Sequence, residues 1–153
     1  MHTRFSSLIL GLTLLTTSQC GVAFASAFDD FTQPITFVNQ QRTIYVAVAA
    51  NEPERERGLM FRQELAENQG MLFINPDIAR RGIWMKNTLL ALDVLFLSGD
   101  GNIVSMLKDL PPCRKDPCRI YDSKLPARYM LELPAGSIAK YLINVGQTVS
   151  LPR

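Results

Sequence analysis

The chain holds a single histidine, His2, a single tryptophan, Trp84, and three cysteines. The histidine and the odd cysteine, Cys20, both fall in a leader that reads as an export signal. Arg4 gives it a small basic start, Leu8 to Leu15 an apolar run, and Ala25-Ser26-Ala27 the small-x-small site that a signal peptidase accepts. Cleavage after Ala27 is expected, which places the protein in the periplasm or outside the cell. The mature chain then has no histidine at all, which excludes histidine-based triads, the HExxH zinc helix and imidazole-bound zinc.

Other absences narrow the function further. A membrane anchor needs about 18 apolar residues, and the leader's run is broken by Thr13, Thr16, Thr17, Ser18 and Gln19. A lipidated Cys20 would want a small residue before it, where Gln19 stands. No stable membrane span is therefore expected after cleavage. The formal net charge is only +2, and the basic residues are scattered, with Arg80-Arg81 and Arg114-Lys115 the adjacent pairs. A nucleic-acid partner, which would require a basic stripe, is not expected.

What remains of the cysteines is an even pair, Cys113 and Cys118, in an exported chain, and it reads as a disulfide. Thioredoxin-like centres use a two-residue spacer at a helix start, whereas Arg114-Lys115-Asp116-Pro117 intervene here. A zinc site would need two more ligands, and none is evident. The expectation is a bridge that shapes one loop, with no metal and no cofactor.

The mature chain suits one domain, 35–153, behind a loose start over 28–34. Strands are predicted over 35–39 and 42–49, the second alternating Ile44, Val46 and Val48 with Tyr45, Ala47 and Ala49. Asn51-Glu52-Pro53-Glu54 has the residues of a helix start, and a short helix over 53–61 follows, weakened by Gly58. Further strands are predicted over 70–75, 83–86, 93–97, 102–108, 127–133 and 148–151. Ser98-Gly99-Asp100-Gly101 turns a hairpin, and Ser137 caps a last helix over 137–144. Many short strands punctuated by Gly, Pro and Asn predict a mainly β fold, a β-sandwich or partly closed barrel with two short helices.

Several blocks stand out: Glu56-Arg57-Gly58-Leu59-Met60-Phe61-Arg62, Gly70-Met71-Leu72-Phe73, Trp84-Met85-Lys86-Asn87-Thr88 with Leu92-Asp93, the loop from Cys113 to Tyr121, and Leu131-Glu132-Leu133-Pro134-Ala135-Gly136. Together they resemble the signature of the domain-of-unknown-function family 192. The resemblance implies a compact, mainly β, commonly exported domain and no established reaction. Ala91 replaces the family's usual proline before Leu-Asp, and Gln147 replaces its usual acidic residue after the glycine.

Apolar motif residues such as Leu59, Phe61, Leu72, Phe73 and Leu92 are first of all core. The polar residues set among them are the candidates for function. Trp84, Lys86, Asn87, Asp93 and Arg57 could line a groove for a small ligand or an extended envelope component. Against this, Asn87 and Thr88 could simply satisfy a turn while Lys86 pairs with Asp93. A second reading is a histidine-free hydrolase or lyase for cell-envelope material. It would use Asp93 with Asp109 or Glu132 as a carboxylate pair and Lys86 as electrophile. A third is copper handling through Met60, Met71, Met85, Met106 and Met130, since thioethers suit Cu(I).

Overall fold

A computed structural model describes residues 30–38, 40 and 42–152. The leader over 1–27 lies outside the described residues. Among them the chain runs β1 (Gln33–Phe37), β2 (Thr43–Ala49), α1 (Glu52–Arg57), β3 (Gln69–Trp84), β4 (Leu92–Leu97), β5 (Ile103–Leu110), β6 (Ile120–Pro134), α2 (Ser137–Lys140) and β7 (Val149–Ser150). The fold is mainly β with two short helices. No helix of the described residues is long and apolar enough to cross a membrane.

All seven strands join one sheet in the order β5-β4-β6-β3-β2-β1-β7. Its neighbours are antiparallel except β2 and β3, which run parallel because α1 and the loop after it carry the chain back to the same end. The outermost strands then approach each other. Asn102 and Thr148 form an antiparallel bridge, the Ile103 amide donates to Gln147 and the Val149 amide to Gly101. The sheet is thus curled into a partly closed barrel, the second of the two predicted architectures.

Side chains alternate across this curled sheet, so it has two apolar faces. The inner one gathers Ile35, Ile44, Val46, Leu72, Leu95 and Leu131 with Ile138 and Tyr141 from the α2 segment. The outer one gathers Met71, Phe73, Met85, Val94, Phe96 and Met130, covered by Leu59 after α1. β4 lies between the two cores and is buried at every position.

Local chemistry explains most of the elements. Asn51 caps α1 as predicted. Its side chain accepts from the Glu54 amide at 3.0 Å, and the Glu54 carboxylate accepts in return from Asn51 at 3.2 Å and Ala50 at 2.9 Å. Those backbone donors hold the Glu54 carboxyl below its ordinary range. The helix ends sooner than predicted, because Gly58 takes φ +46. The predicted strand over 70–75 and the first half of that over 83–86 belong to one bent strand, β3, which ends at Trp84. Its pairing with β6 shifts register between Ile74 and Ala79, absorbing Asn75-Pro76 as an irregularity rather than an end.

Gly101 sits where the barrel closes. Its φ is +80, and a Cβ there would lie 2.5 Å from the Val149 carbonyl oxygen. Gly101→Ala should cost about 2 kcal/mol in urea denaturation, from strain at a positive φ and a backbone clash. A variant as stable as the parent would show that the closing contacts are not held tightly.

Candidate functional site

Trp84 ends β3, and Met85 to Thr88 turn away from it towards β4. Asn87 adopts φ +55, a conformation asparagine tolerates better than most residues. Its carbonyl accepts from the Phe61 amide at 2.8 Å, tying this turn to the segment after α1. The two segments flank a groove of ≈ 510 Å³ lined by Pro53, Glu56, Arg57, Met60, Trp84, Lys86 and Asn87. Trp84 remains 47% exposed despite its size. The Lys86 ammonium rests 5.4 Å from the centre of its ring, within cation–π range. Asn87 Nδ2 points at Met60 Sδ, 3.8 Å away.

Four of the five predicted groove residues therefore meet: Arg57, Trp84, Lys86 and Asn87. Asp93 does not join them. It is 1% exposed, and both carboxylate oxygens accept from backbone amides, Oδ1 from Asp109 at 2.9 Å and Oδ2 from Ile138 at 2.7 Å. Two of the three partners considered for it in the sequence, Lys86 by salt bridge and Glu132 by carboxylate pairing, do not reach it. The register explains the second separation. Asp93 stands opposite Leu133, and Val94 stands opposite Glu132, so the two carboxyls leave opposite faces of the sheet. Asp109 contributes its amide to Asp93 while its own side chain is exposed. The Asp93–Glu132 pair considered for hydrolysis is therefore not assembled.

Asp93 instead serves α2. The predicted cap, Ser137, donates its hydroxyl to the Pro134 carbonyl at 2.6 Å. The N-cap is Gly136, which has no side chain to offer. Asp93, distant in sequence, accepts from the second helical amide in its place.

Beneath the groove lies a smaller cavity of ≈ 90 Å³. It shares Glu56, Arg57, Met60 and Trp84 with the groove and adds Leu59, Phe73, Thr88, Met130 and Glu132. Glu132 is 5% exposed, and on the sheet it faces Met71 of β3 and Val94 of β4. Burial among these apolar groups raises its carboxyl to about 8. The sequence signal for Glu132 was its place in the Leu-Glu-Leu block. Only the register shows that it lies beside the groove rather than beside Asp93. A further hollow of ≈ 390 Å³ flanks α1 and includes Asn75, Asp77 and Arg81.

Cys113 and Cys118 are joined by a disulfide. Asp116 lies between them, and the three side chains cluster. With both sulfurs in the bridge they form no thiolate metal site. Lys86 and Asn87 also line a hollow of ≈ 200 Å³ against this loop, with Arg114 and Lys115 on its far wall. The methionines divide. Met71 and Met85 are fully buried core, whereas Met60 and Met130 line the small cavity.

Comparison with known proteins bears on this layout. Residues 35–151 match the family DUF192, described as "Uncharacterized ACR". The chain belongs to that family. It is 32% identical over 115 residues to a UPF0127 protein of Pyrococcus furiosus, across 72% of this chain and 89% of that one. Among solved structures, one from Sinorhizobium meliloti, provisionally designated a transcription regulator, superposes with a TM-score of 0.72. It is 31% identical and is covered over 92% of its length by 77% of this chain. A protein of unknown function from Novosphingobium aromaticivorans superposes with a TM-score of 0.71 at 22% identity, over 84% of this chain and 99% of that one, and shows the same fold. The DUF192 domain thus accounts for both apolar cores and for the groove between α1 and Trp84.

Proposed function

We propose that this DUF192 member is an exported domain that binds a small ligand or an extended partner in the groove between α1 and the Trp84–Asn87 turn. One observation carries the reading: two segments far apart in sequence bring a half-exposed tryptophan, a lysine, an arginine and an asparagine around a single concave surface. Such a mixture of an apolar platform and a few convergent polar groups is what ligand sites are built from. Export is supported by the leader and by the paired cysteines of the remaining chain.

Trp84 is the only tryptophan, so its fluorescence reports on the groove directly. Sugars, peptidoglycan fragments, peptides and organic acids can be screened by thermal shift, where a ligand at 100 times its Kd stabilises by about 2.7 kcal/mol. A true groove ligand should shift the Trp84 emission and lose about tenfold or more in affinity on Lys86→Ala if its charged contact is lost. Trp84→Ala should weaken it as well, read by calorimetry. Ligands that stabilise the protein yet ignore both substitutions in a folded variant would place binding elsewhere.

A further inference from the structure

The groove does not end at its visible floor. Under Trp84 and Met60 it adjoins the small cavity, whose far wall carries Glu132, a carboxyl 95% buried with apolar neighbours on both adjoining strands. No hydrogen bond to its side chain is made among the described residues, and none of their fully buried side-chain oxygens or nitrogens lacks a partner, so the carboxyl keeps an opening onto the cavity. A carboxyl left so in an apolar setting is costly unless something meets it. Resting on the groove reading, we propose that this cavity is the end pocket of the site and that Glu132 receives the primary ammonium of a small ligand whose anionic end lies at the mouth with Lys86.

Three features select that chemistry. The pocket's volume of ≈ 90 Å³ admits a head group and a short aliphatic stem, being several times the roughly 15 Å³ that one water needs. Its walls of Leu59, Phe73, Met130 and Trp84 suit methylenes and, through the rings, a cation. Its mouth supplies the complementary charge. The guanidinium groups of Arg55 and Arg81 are engaged by backbone carbonyls and Asp77, whereas the Lys86 ammonium lies over the Trp84 ring within the groove. The charged groups along the cavity are Arg55, Glu56 and Arg57 from the α1 side. Thr88 and the β3 residues lining it do not titrate in the working range.

The ligand class is therefore a short ω-amino acid or a molecule ending in that unit. The full domain can be titrated with δ-aminovalerate, valerate and δ-hydroxyvalerate, read by Trp84 emission and calorimetry. δ-Aminovalerate should bind about tenfold or more tightly than valerate, the margin of a hydrogen bond to a charged group. Because an ionised Glu132 is required, its affinity should rise with pH to about 8 and then level. Glu132→Gln should abolish the preference for the amine over valerate and flatten that pH profile. Equal affinity for δ-aminovalerate and valerate, with both weakened by Trp84→Ala, would overturn the amine pocket and leave the groove standing. Tighter binding of δ-hydroxyvalerate would likewise overturn it, in favour of a protonated Glu132 that serves neutral ligands. If no probe of the series binds, this ligand class is wrong, and the groove itself is then judged by the broader screen.

Discussion

Asp93→Ala is expected to destabilise the domain by about 4 kcal/mol, because it strips the acceptor from two backbone amides at once. The Ile138 amide is buried at the start of α2 and the Asp109 amide is partly buried on β5. Neither has an alternative acceptor on its own element. Each buried donor left unpaired costs about 1–3 kcal/mol, and bonds to a carboxylate stand at the upper end. Asp93→Asn keeps one oxygen but turns an NH2 towards the second amide, so it should lose about half as much. Equilibrium urea denaturation measures both. In the folded Asn variant, ligand binding at the Trp84 groove should be unchanged, since Asp93 lies on the opposite face. A loss below about 1 kcal/mol for the alanine variant would show that water replaces the carboxylate and that α2 does not depend on it.

The second large effect is a fall in stability with rising pH that comes from Glu132. Its folded carboxyl titrates at about 8 against 4.5 for the ordinary group. Below pH 4.5 both folded and unfolded chains hold the proton, and Glu132 makes no difference. Between 4.5 and 8 only the folded chain retains it, so stability declines as pH rises. Above 8 the decline is complete. At about 1.4 kcal/mol per unit, the full window amounts to about 5 kcal/mol. Glu132→Gln removes the titrating group and should flatten the profile, so that the variant is more stable than the parent at pH 8.5. Denaturation at pH 5 and pH 8.5 for the two proteins provides the test. Parallel profiles would mean that Glu132 is solvated through the cavity and titrates normally.

A smaller effect is expected of the disulfide. Closing the short Cys113–Cys118 loop contributes about 2 kcal/mol on the chain-entropy model. Replacing both cysteines by serine should leave the fold intact and lower its denaturation midpoint modestly. A variant that fails to fold would show that the loop organises β5 and β6 rather than merely joining them.

How far the sequence reached can be judged at particular residues. The alternation in Ile44, Val46 and Val48, the capping residue Asn51 and the Ser98–Gly101 turn are local signals, and each lies in the element it indicates. Asn75-Pro76 is equally local and misled, because a breaker pair ends a flat strand but merely kinks one that a long partner, β6, holds on both sides. Four groove residues were legible as polar insertions in an apolar block. Asp93 was singled out by the same token, yet its role depends on a helix more than forty residues away. Nothing local says which face of a strand a carboxyl will take. Glu132, set against Leu131 and Leu133, would pass for an outward residue of a one-sided sheet. It is buried because the loop after α1, through Leu59 and Leu65, covers the outer face as well.

The closing seam between the outermost strands rests on a single bridge and a few backbone bonds around Gly101 and Ile103, whereas β3 and β6 are paired over most of their length. Amides along the seam should therefore exchange with solvent through local openings long before those of the central pair. Each opening bares the free edges of β5 and β7 together, the kind of unpaired rim on which strands of a second chain can add. The curl that makes this sheet nearly a barrel is in that sense also what keeps those two edges covered, and the turn holding Gly101 is its clasp.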